Sequence, residues 1–407
     1  MKRRVVITGM GIWSCIGQDL ETVTESLRLG RSGIIFDQSR IDYGLQSGLV
    51  GNVPRPDLKP LLPRKFRATM SEDAEYAYMA ARQAFQQAGI DDEYIKKVNI
   101  GIIMGNDGNS HLSEYTKIIQ DEHNSLMLGP NGIFRCQSSS AVMNLSTIFG
   151  LRGISFSVGA SCSSSMYAIA LSALLIRNGL QEIILTGGSS HFDKCTAAFA
   201  DCFGNLSIRN DSPAQALCAF DKKSDGTVYS DGAATLILEE YEHAKARNAP
   251  IYAEIAGLGF STNGTDNIHL TNSQAELKSI SSALQDANLS PIEVDFINCN
   301  GSSILDGDRI EAITLSSLFK NGKTWISTTE SLTGHENWAL GSCKIIYTII
   351  MMNNNFIIGN KNLKDIIPEA EGLRIATRNQ HLIMVQDNFR GLFLKLFSSK
   401  MYIFCCL

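Results

Sequence analysis

A cysteine at position 162 follows a short apolar run and precedes a helical pattern, which is a position that suits a nucleophile. Residues 155–169 read Ser-Phe-Ser-Val-Gly-Ala-Ser-Cys-Ser-Ser-Ser-Met-Tyr-Ala-Ile. The pattern predicts a strand, a tight turn and a helix, with Cys162 in the turn. The free N–H groups and positive dipole end of a helix N-terminus favour a thiolate and can donate to an oxyanion. The alternative is a buried, inert thiol, which is the commoner fate of cysteine.

Short β-branched apolar runs recur along the chain and alternate with helical patterns. The predicted strands are residues 5–9, 100–104, 154–158, 183–186, 235–238, 251–255, 294–297, 325–327 and 381–385. The predicted helices include residues 71–88, 164–177, 274–287, 309–319 and 339–352. The apolar runs suit strands covered on both faces, and their alternation with helices indicates a layered α/β architecture. A charged stretch over 239–250, closing with Pro250, predicts a boundary between two halves, 1–250 and 251–407.

Composition narrows the class of protein. A chain of 407 residues, 44% hydrophobic and 19% charged, is typical of a globular protein with more than one core-forming unit. The net charge of −5 argues against a nucleic-acid partner. No run reaches the roughly 18–20 apolar residues of a membrane span, and Gly9 and Gly11 interrupt the first apolar run too early for a signal peptide. The ten cysteines and the histidines lack metal-ligand spacing, so we expect reduced thiols, no metal and a cytoplasmic location.

Several motifs, in a consistent order, resemble the β-ketoacyl-carrier-protein synthases of the thiolase superfamily. Residues 159–164, Gly-Ala-Ser-Cys-Ser-Ser, are similar to the nucleophile loop of that family, and residues 4–11, 220–226 and 231–234 resemble its opening strand and central signature. The resemblance implies a thiolase fold, with two similar halves in a layered αβαβα arrangement. It also implies that Cys162 carries an acyl thioester. Substrates would arrive on the phosphopantetheine of an acyl carrier protein, with no cofactor bound directly.

The two histidine loops of the family are both recognisable, but one is altered. In active members, two histidines promote decarboxylation of a malonyl thioester. Residues 333–335, Thr-Gly-His, keep His335, whereas residues 298–302 read Asn-Cys-Asn-Gly-Ser and place Asn300 at the other histidine position. Asparagine can donate a hydrogen bond to an enolate oxygen, but it cannot shuttle a proton at neutral pH. Glu330 stands where active relatives have lysine, and we expect its carboxylate to oppose thiolate and enolate formation.

Two further loops depart from the family pattern. The segment that reads Gly-Phe-Gly-Gly-Thr-Asn in relatives is Asn-Phe-Arg-Gly-Leu-Phe over residues 388–393. Phe389 and Gly391 are the predicted substrate-binding positions there, and Arg390 adds bulk where the backbone must approach closely. Residues 218–219, Cys-Ala, replace an Arg-Pro pair before the central signature. Because these changes gather around one cleft, they favour relaxed catalytic demand over surface drift.

Three functions are compatible with these motifs. The first is a subunit similar to a chain-length factor, which would form a heterodimer with a competent ketosynthase subunit of a type II polyketide synthase, work with an acyl carrier protein, and shape the acyl tunnel. The alternative is an active β-ketoacyl synthase that uses Cys162, Asn300 and His335. A degradative thiolase is disfavoured, because no second catalytic cysteine follows in a glycine-rich C-terminal loop. The acyl length, starter unit, product and tunnel-lining residues are beyond what the sequence specifies.

Overall fold

The computed structural model describes residues 3–108, 111–264, 272–381 and 400–406. The strands in these ranges are β1 Val5–Trp13, β2 Ile34–Phe36, β3 Leu49–Gly51, β4 Ile100–Gly105, β5 Ser155–Val158, β6 Ile183–Ser190, β7 Gly232–Glu240, β8 Ala253–Ser261, β9 Phe296–Asn298, β10 Trp325–Ser327, β11 Phe356–Ile357, β12 Arg374–Ile375, β13 Gln380–His381 and β14 Lys400–Cys406. The nine predicted strands are therefore present; β10 has the predicted bounds and the others have shifted ends. Residues 382–385 of the last predicted strand lie outside the described residues.

The helices fall between the strands as the alternating pattern predicts. Their bounds are α1 Leu20–Leu29, α2 Gln38–Tyr43, α3 Arg64–Arg67, α4 Glu72–Gln87, α5 Asp92–Lys97, α6 Leu112–Glu122, α7 Gly132–Arg135, α8 Ser140–Phe149, α9 Ser164–Arg177, α10 Lys194–Phe203, α11 Tyr241–Ala246, α12 Ser273–Asp286, α13 Leu305–Phe319, α14 Glu330–Thr333 and α15 Leu340–Asn353. Helix α9 has the predicted bounds, and the other four predicted helices differ from theirs by one to four residues at an end.

One large sheet organises the molecule. Its strand order is β14-β8-β1-β7-β6-β4-β5, with β4 parallel to β5 and β6, and β1 antiparallel to both β7 and β8. Strand β8 lies beyond Pro250 in the chain, yet it pairs with β1. The predicted boundary at residue 250 therefore falls within a continuous sheet, and the division into two halves stays a prediction.

Helices cover both faces of this sheet. Helices α4 and α8 pack on one face, and α9 and α15 pack on the other. Gly9 and Gly11 lie where α4 crosses β1, and a Cβ at these positions would come within 2.2 Å of the Ala84 carbonyl oxygen and 2.0 Å of the Ala80 carbonyl oxygen. The Ile-Thr-Gly-Met-Gly pattern of the first strand thus reflects the close approach of a helix to a strand.

Strand β5 differs from the expectation that the strands are covered on both faces. Ser155 and Phe156 are exposed, and 38% of Phe156 is accessible. The reason is its position at the edge of the sheet, where only β4 pairs with it. An edge strand of this kind leaves backbone N–H and C=O groups available for pairing with another chain.

The charged stretch at 239–250 is folded into the body of the protein. Glu239 at the end of β7 is fully buried, and its carboxylate accepts hydrogen bonds from the Arg247 guanidinium at 2.6 Å and the Thr8 hydroxyl at 2.9 Å. His243 also contacts this carboxylate, at 2.6 Å. These contacts connect β1, β7 and α11, so the stretch holds the sheet and the following helix together.

Candidate active site

Cys162 lies in a single 3₁₀ turn, residues 161–163, between β5 and α9, as the sequence predicts. Ser161 adopts a positive φ of 48°, an uncommon conformation for a residue other than glycine. The Ser164 hydroxyl donates to the Ser161 carbonyl oxygen at 2.6 Å and accepts from the Ala160 N–H at 2.9 Å. These bonds close the turn and leave Cys162 exposed in the single chain.

The electrostatic setting of Cys162 runs against the expected thiolate. Desolvation raises the pKa of the thiol, the Asp107 carboxylate adds to the rise, and hydrogen bonds from Ser161 and the backbone oppose it. A helix N-terminus alone would shift the pKa in the opposite direction. The expectation that the helix end favours the thiolate therefore stays a prediction.

His335 is buried, with only 6% of it exposed, and its ring is held in one orientation. Its backbone N–H donates to the Val228 carbonyl oxygen at 2.8 Å, and its Nδ1 accepts from the Asn337 N–H at 3.2 Å. Because Nδ1 is an acceptor, the neutral ring carries its proton on Nε2. His335 can therefore present an Nε2–H donor to a substrate oxygen.

The nucleophile turn and the histidine loop lie in one neighbourhood. The Tyr229 ring meets His335 edge-on with 5.6 Å between ring centroids. Burial raises the pKa of Tyr229 to about 12. The nucleophile turn at 161–163 packs against the turn at 337–339, which follows His335 in the chain. The structure thus brings the Cys162 turn and the His335 loop together.

Asn300 is exposed on a loop whose backbone is firmly bound. Its N–H donates to Glu311 at 2.7 Å, and its carbonyl oxygen accepts from the Thr328 hydroxyl at 2.8 Å and from the Lys344 ammonium at 3.2 Å. The loop therefore adjoins the segment that leads into Glu330. The Asn300 side chain is exposed in the single chain and takes no part in these backbone bonds.

Glu330 is fully buried and pairs with a lysine that the sequence reasoning missed. The Lys344 ammonium on α15 lies 3.4 Å from Glu330 Oε1 and is itself only 5% exposed. Burial raises the pKa of Glu330 to about 7, while Lys344 and then His335 oppose the rise. A cation therefore lies beside the Glu330 carboxylate, and its expected opposition to thiolate and enolate formation stays a prediction.

Lys344 also connects the loop at 298–302 to the segment that leads into Glu330. Its ammonium donates to the carbonyl oxygens of Cys299 at 2.7 Å and Asn300 at 3.2 Å, and to the Thr328 hydroxyl at 3.1 Å. The sequence signal was available, since Lys344 is the sole charged residue of α15, a helix that is otherwise apolar or small and almost wholly buried. A buried cation implies a buried partner, and Glu330 was the unusual acid in the sequence.

The predicted substrate-binding residues of the C-terminal loop, Phe389 and Gly391, lie outside the described residues, and so does Arg390. In the described part of the chain, no group of three or more histidine, cysteine, aspartate or glutamate side chains is arranged to hold a metal ion.

Comparisons with known proteins place this geometry in a family. Residues 2–244 match the family model described as "Beta-ketoacyl synthase, N-terminal domain", and residues 252–364 match the model described as "Beta-ketoacyl synthase, C-terminal domain". A curated relative, 3-oxoacyl-[acyl-carrier-protein] synthase 1 of Escherichia coli (strain K12), is 32% identical over 395 residues, which covers 96% of each chain. The chain therefore belongs to the β-ketoacyl synthase family.

Solved structures agree with this assignment. A β-ketoacyl synthase from Burkholderia phymatum STM815 matches with a TM-score of 0.87 and 29% identity over 94% of each chain. The structure described as the ishigamide ketosynthase/chain length factor matches with a TM-score of 0.85 and 26% identity, also over 94% of each chain. The predicted thiolase fold is confirmed. Within the described residues, the helices are too short or too polar to cross a membrane.

Proposed function

We propose that this chain is a β-ketoacyl-[acyl-carrier-protein] synthase that extends an acyl group held on Cys162. The observation that supports the proposal is the packing of the Cys162 turn against the segment that follows His335. Both residues keep the setting that acyl transfer needs, an exposed thiol at a helix start and an oriented N–H donor. The negative charge of Glu330, which stands at the lysine position of the family, lies beside the positive charge of Lys344.

The first step is acyl transfer to Cys162. The sulfur attacks the carbonyl carbon of an acyl thioester carried on phosphopantetheine. A new C–S bond forms, the bond to the phosphopantetheine sulfur breaks, and the proton of the Cys162 thiol passes to the departing thiol. Backbone N–H groups at the start of α9 are suited to stabilise the oxyanion that forms on the way.

The second step is decarboxylative condensation with a malonyl thioester. The His335 Nε2–H and the Asn300 amide are the candidate donors to the thioester carbonyl oxygen. Loss of CO₂ leaves an enolate, which these hydrogen bonds stabilise, and its carbon attacks the acyl carbonyl on Cys162. The carbon–sulfur bond to Cys162 breaks, the sulfur keeps the bonding electron pair, and the thiolate takes a proton from solvent. Asn300 and the neutral His335 each supply a hydrogen bond to the enolate oxygen.

The carrier protein is proposed as the partner that delivers both substrates. The E. coli relative is named for acyl-carrier-protein substrates, and 96% of this chain aligns with it. On this proposal the acyl and malonyl groups arrive as phosphopantetheine thioesters, and the protein binds no separate cofactor.

A second candidate function is a subunit similar to a chain-length factor. Two observations favour it: Asn300 stands at a histidine position, and β5 is an exposed edge that can pair with a related chain. The likeness to the ishigamide ketosynthase/chain length factor adds support. In this role the chain would shape the acyl tunnel of a competent ketosynthase partner in a heterodimer.

Condensation by the purified chain distinguishes the two functions. The assay supplies acyl- and malonyl-carrier protein to the wild type, to Cys162→Ala and to His335→Ala. Cys202→Ala, at an exposed cysteine on α10, is the matched control. We expect extension by the wild type and the control, none by Cys162→Ala, and a loss of about 10²–10³-fold in His335→Ala. Extension seen only with a coexpressed ketosynthase, and unaffected by Cys162→Ala, would favour the second function.

A further inference from the structure

An aspartate that the family resemblance did not single out lies against the nucleophile turn. The Asp107 carboxylate accepts the Ser161 N–H at 2.9 Å, one residue before Cys162. Strands β4 and β5 are parallel, so the turns that follow them meet at the same end of the sheet. A Cβ at Gly159 would lie 2.6 Å from Asp107 Oδ1, and the absence of a side chain there lets the two turns approach this closely.

The position of Asp107 is fixed from the core of the protein. The neighbouring Asn106 side chain donates to the buried Asp73 carboxylate at 2.7 Å and accepts the Gly108 N–H at 2.8 Å. The Asn106 N–H also donates to the Val158 carbonyl oxygen at 3.0 Å. Bonds on both sides of Asp107 therefore hold its turn in place, and the carboxylate is a built feature of the site.

We propose that Asp107 is a positioning residue that anchors the Cys162 turn and sets a fixed negative charge beside the Cys162 thiol. A carboxylate beside a thiol disfavours the thiolate, because two like charges would lie close together. The acylated cysteine is uncharged, so the same carboxylate does not penalise it. Asp107 therefore disfavours the Cys162 thiolate in the free enzyme and has no such effect on the acyl-enzyme. It also lowers the reactivity of the free thiol toward oxidants and electrophiles.

The other titratable groups around the turn do not replace this charge. Burial raises the pKa of Tyr229 to about 12, which keeps the phenol neutral at physiological pH. The turn at 337–339 contributes no titratable side chain, and Lys344 of α15 is committed to Glu330 and the Asn300 loop. His335 already uses Nδ1 as an acceptor. Among the described residues, Asp107 is therefore the acid that acts directly on Cys162.

The pH dependence of alkylation tests this proposal without any condensation assay. The full-length wild type and Asp107→Asn would be treated with iodoacetamide from pH 6 to 11, with Cys162 labelling quantified by peptide mass spectrometry. Asparagine keeps an acceptor for the Ser161 N–H but removes the charge. We expect the labelling midpoint to fall by about one pH unit. Below the midpoint, labelling should be about threefold faster, because a less basic thiolate is also less nucleophilic.

The controls separate charge from folding. Asp121→Asn removes an exposed carboxylate on α6 and should leave the Cys162 midpoint unchanged, and Cys202 labelling provides an internal reference. Should Asp107→Asn not fold, the wild type at 0.5 M salt should show a smaller shift in the same downward direction, because salt partly screens the carboxylate. An unchanged midpoint in folded Asp107→Asn, or in the wild type at high salt when the variant does not fold, overturns the proposal. The inference rests on the proposed function only for the meaning of Cys162 as acyl carrier, so a failed condensation assay leaves the alkylation result intact.

Discussion

The loops at 298–302 and 328–335 both depart from the pattern of active relatives, and they have opposite surroundings. Asn300 is exposed in the single chain, and its loop is held by backbone bonds that do not depend on its side chain. Glu330 is fully buried and lies beside the buried Lys344. The residue that departs from the family pattern is therefore exposed in the first loop and buried in the second.

The contrast shows how a departure from a family pattern should be interpreted. A buried charge that changes sign must be matched by a partner, because an unpaired charge in the interior costs several kcal/mol. The match at Lys344 shows that the loop at 328–335 is maintained. An exposed change needs no structural partner, so the consequence of Asn300 is chemical. The Glu330 departure therefore does not by itself indicate a decaying site, and relaxed catalytic demand stays a prediction.

The largest expected effect is on stability, from Lys344→Met. Methionine fills a similar volume but removes three hydrogen bonds to the two loops and leaves Glu330 without its cation. We expect a loss of about 3–5 kcal/mol in the free energy of unfolding, measured by urea denaturation. Lys97→Met, at an exposed lysine on α5, is the matched control and should change it by less than about 0.5 kcal/mol.

A double-mutant cycle that exchanges the charges of Glu330 and Lys344 tests this pairing further. Glu330→Lys alone would bury two ammonium groups together and should destabilise the protein as strongly as Lys344→Met does. Adding Lys344→Glu restores an ion pair, so the double variant should recover at least about 1 kcal/mol relative to the sum of the single changes. Additive effects in this double-mutant cycle would contradict the pairing.

A smaller effect follows from the raised pKa of Glu330. The folded value is about 7 and the ordinary value is 4.5. Below pH 4.5 the group is protonated in both states, whereas between pH 4.5 and 7 only the unfolded state releases the proton. Stability is therefore lost as pH rises through this window, by on the order of 3 kcal/mol at most. Glu330→Gln should lack this component, and parallel pH–stability curves for variant and wild type would disprove it.

The smallest expected effect on stability comes from Asn300→Ala. Because the side chain is exposed and the loop is held by backbone bonds, the free energy of unfolding should change by less than about 0.5 kcal/mol. Malonyl decarboxylation should fall by about tenfold or more, since a donor to the enolate oxygen is lost. A large loss of stability with unchanged decarboxylation would reverse the comparison between the two loops.

The elements and the nucleophile turn were predictable from the sequence because they depend on local patterns. Alternating apolar runs marked the strands, and the small residues around Cys162 marked the turn at the start of α9. The exposure of β5 was not predictable, because it depends on which strand ends the sheet. Its sequence, Ser-Phe-Ser-Val, does alternate in polarity, which suits a strand with one open face.

The pairing of Glu330 with Lys344 and the role of Asp107 depend on contacts between distant segments. Nothing in the spacing of Glu330 and Lys344 shows that a helix beginning at residue 340 returns its first turns to the loop at 330. The contact between Asp107 and the Cys162 turn was easier to predict, because Asp107 follows the predicted strand at 100–104 just as Cys162 follows the strand at 154–158. Placing those two strands side by side and parallel would have brought the two turns together.

We expect Cys162 to accept an acyl group. The most direct test is the intact mass of the purified protein after incubation with an acyl-carrier protein and no malonyl substrate. We predict a mass increase equal to one acyl group, mapped to Cys162, absent from Cys162→Ala and retained in Asn300→Ala. A folded protein that acquires no adduct, or one that is acylated equally in Cys162→Ala, would contradict the account.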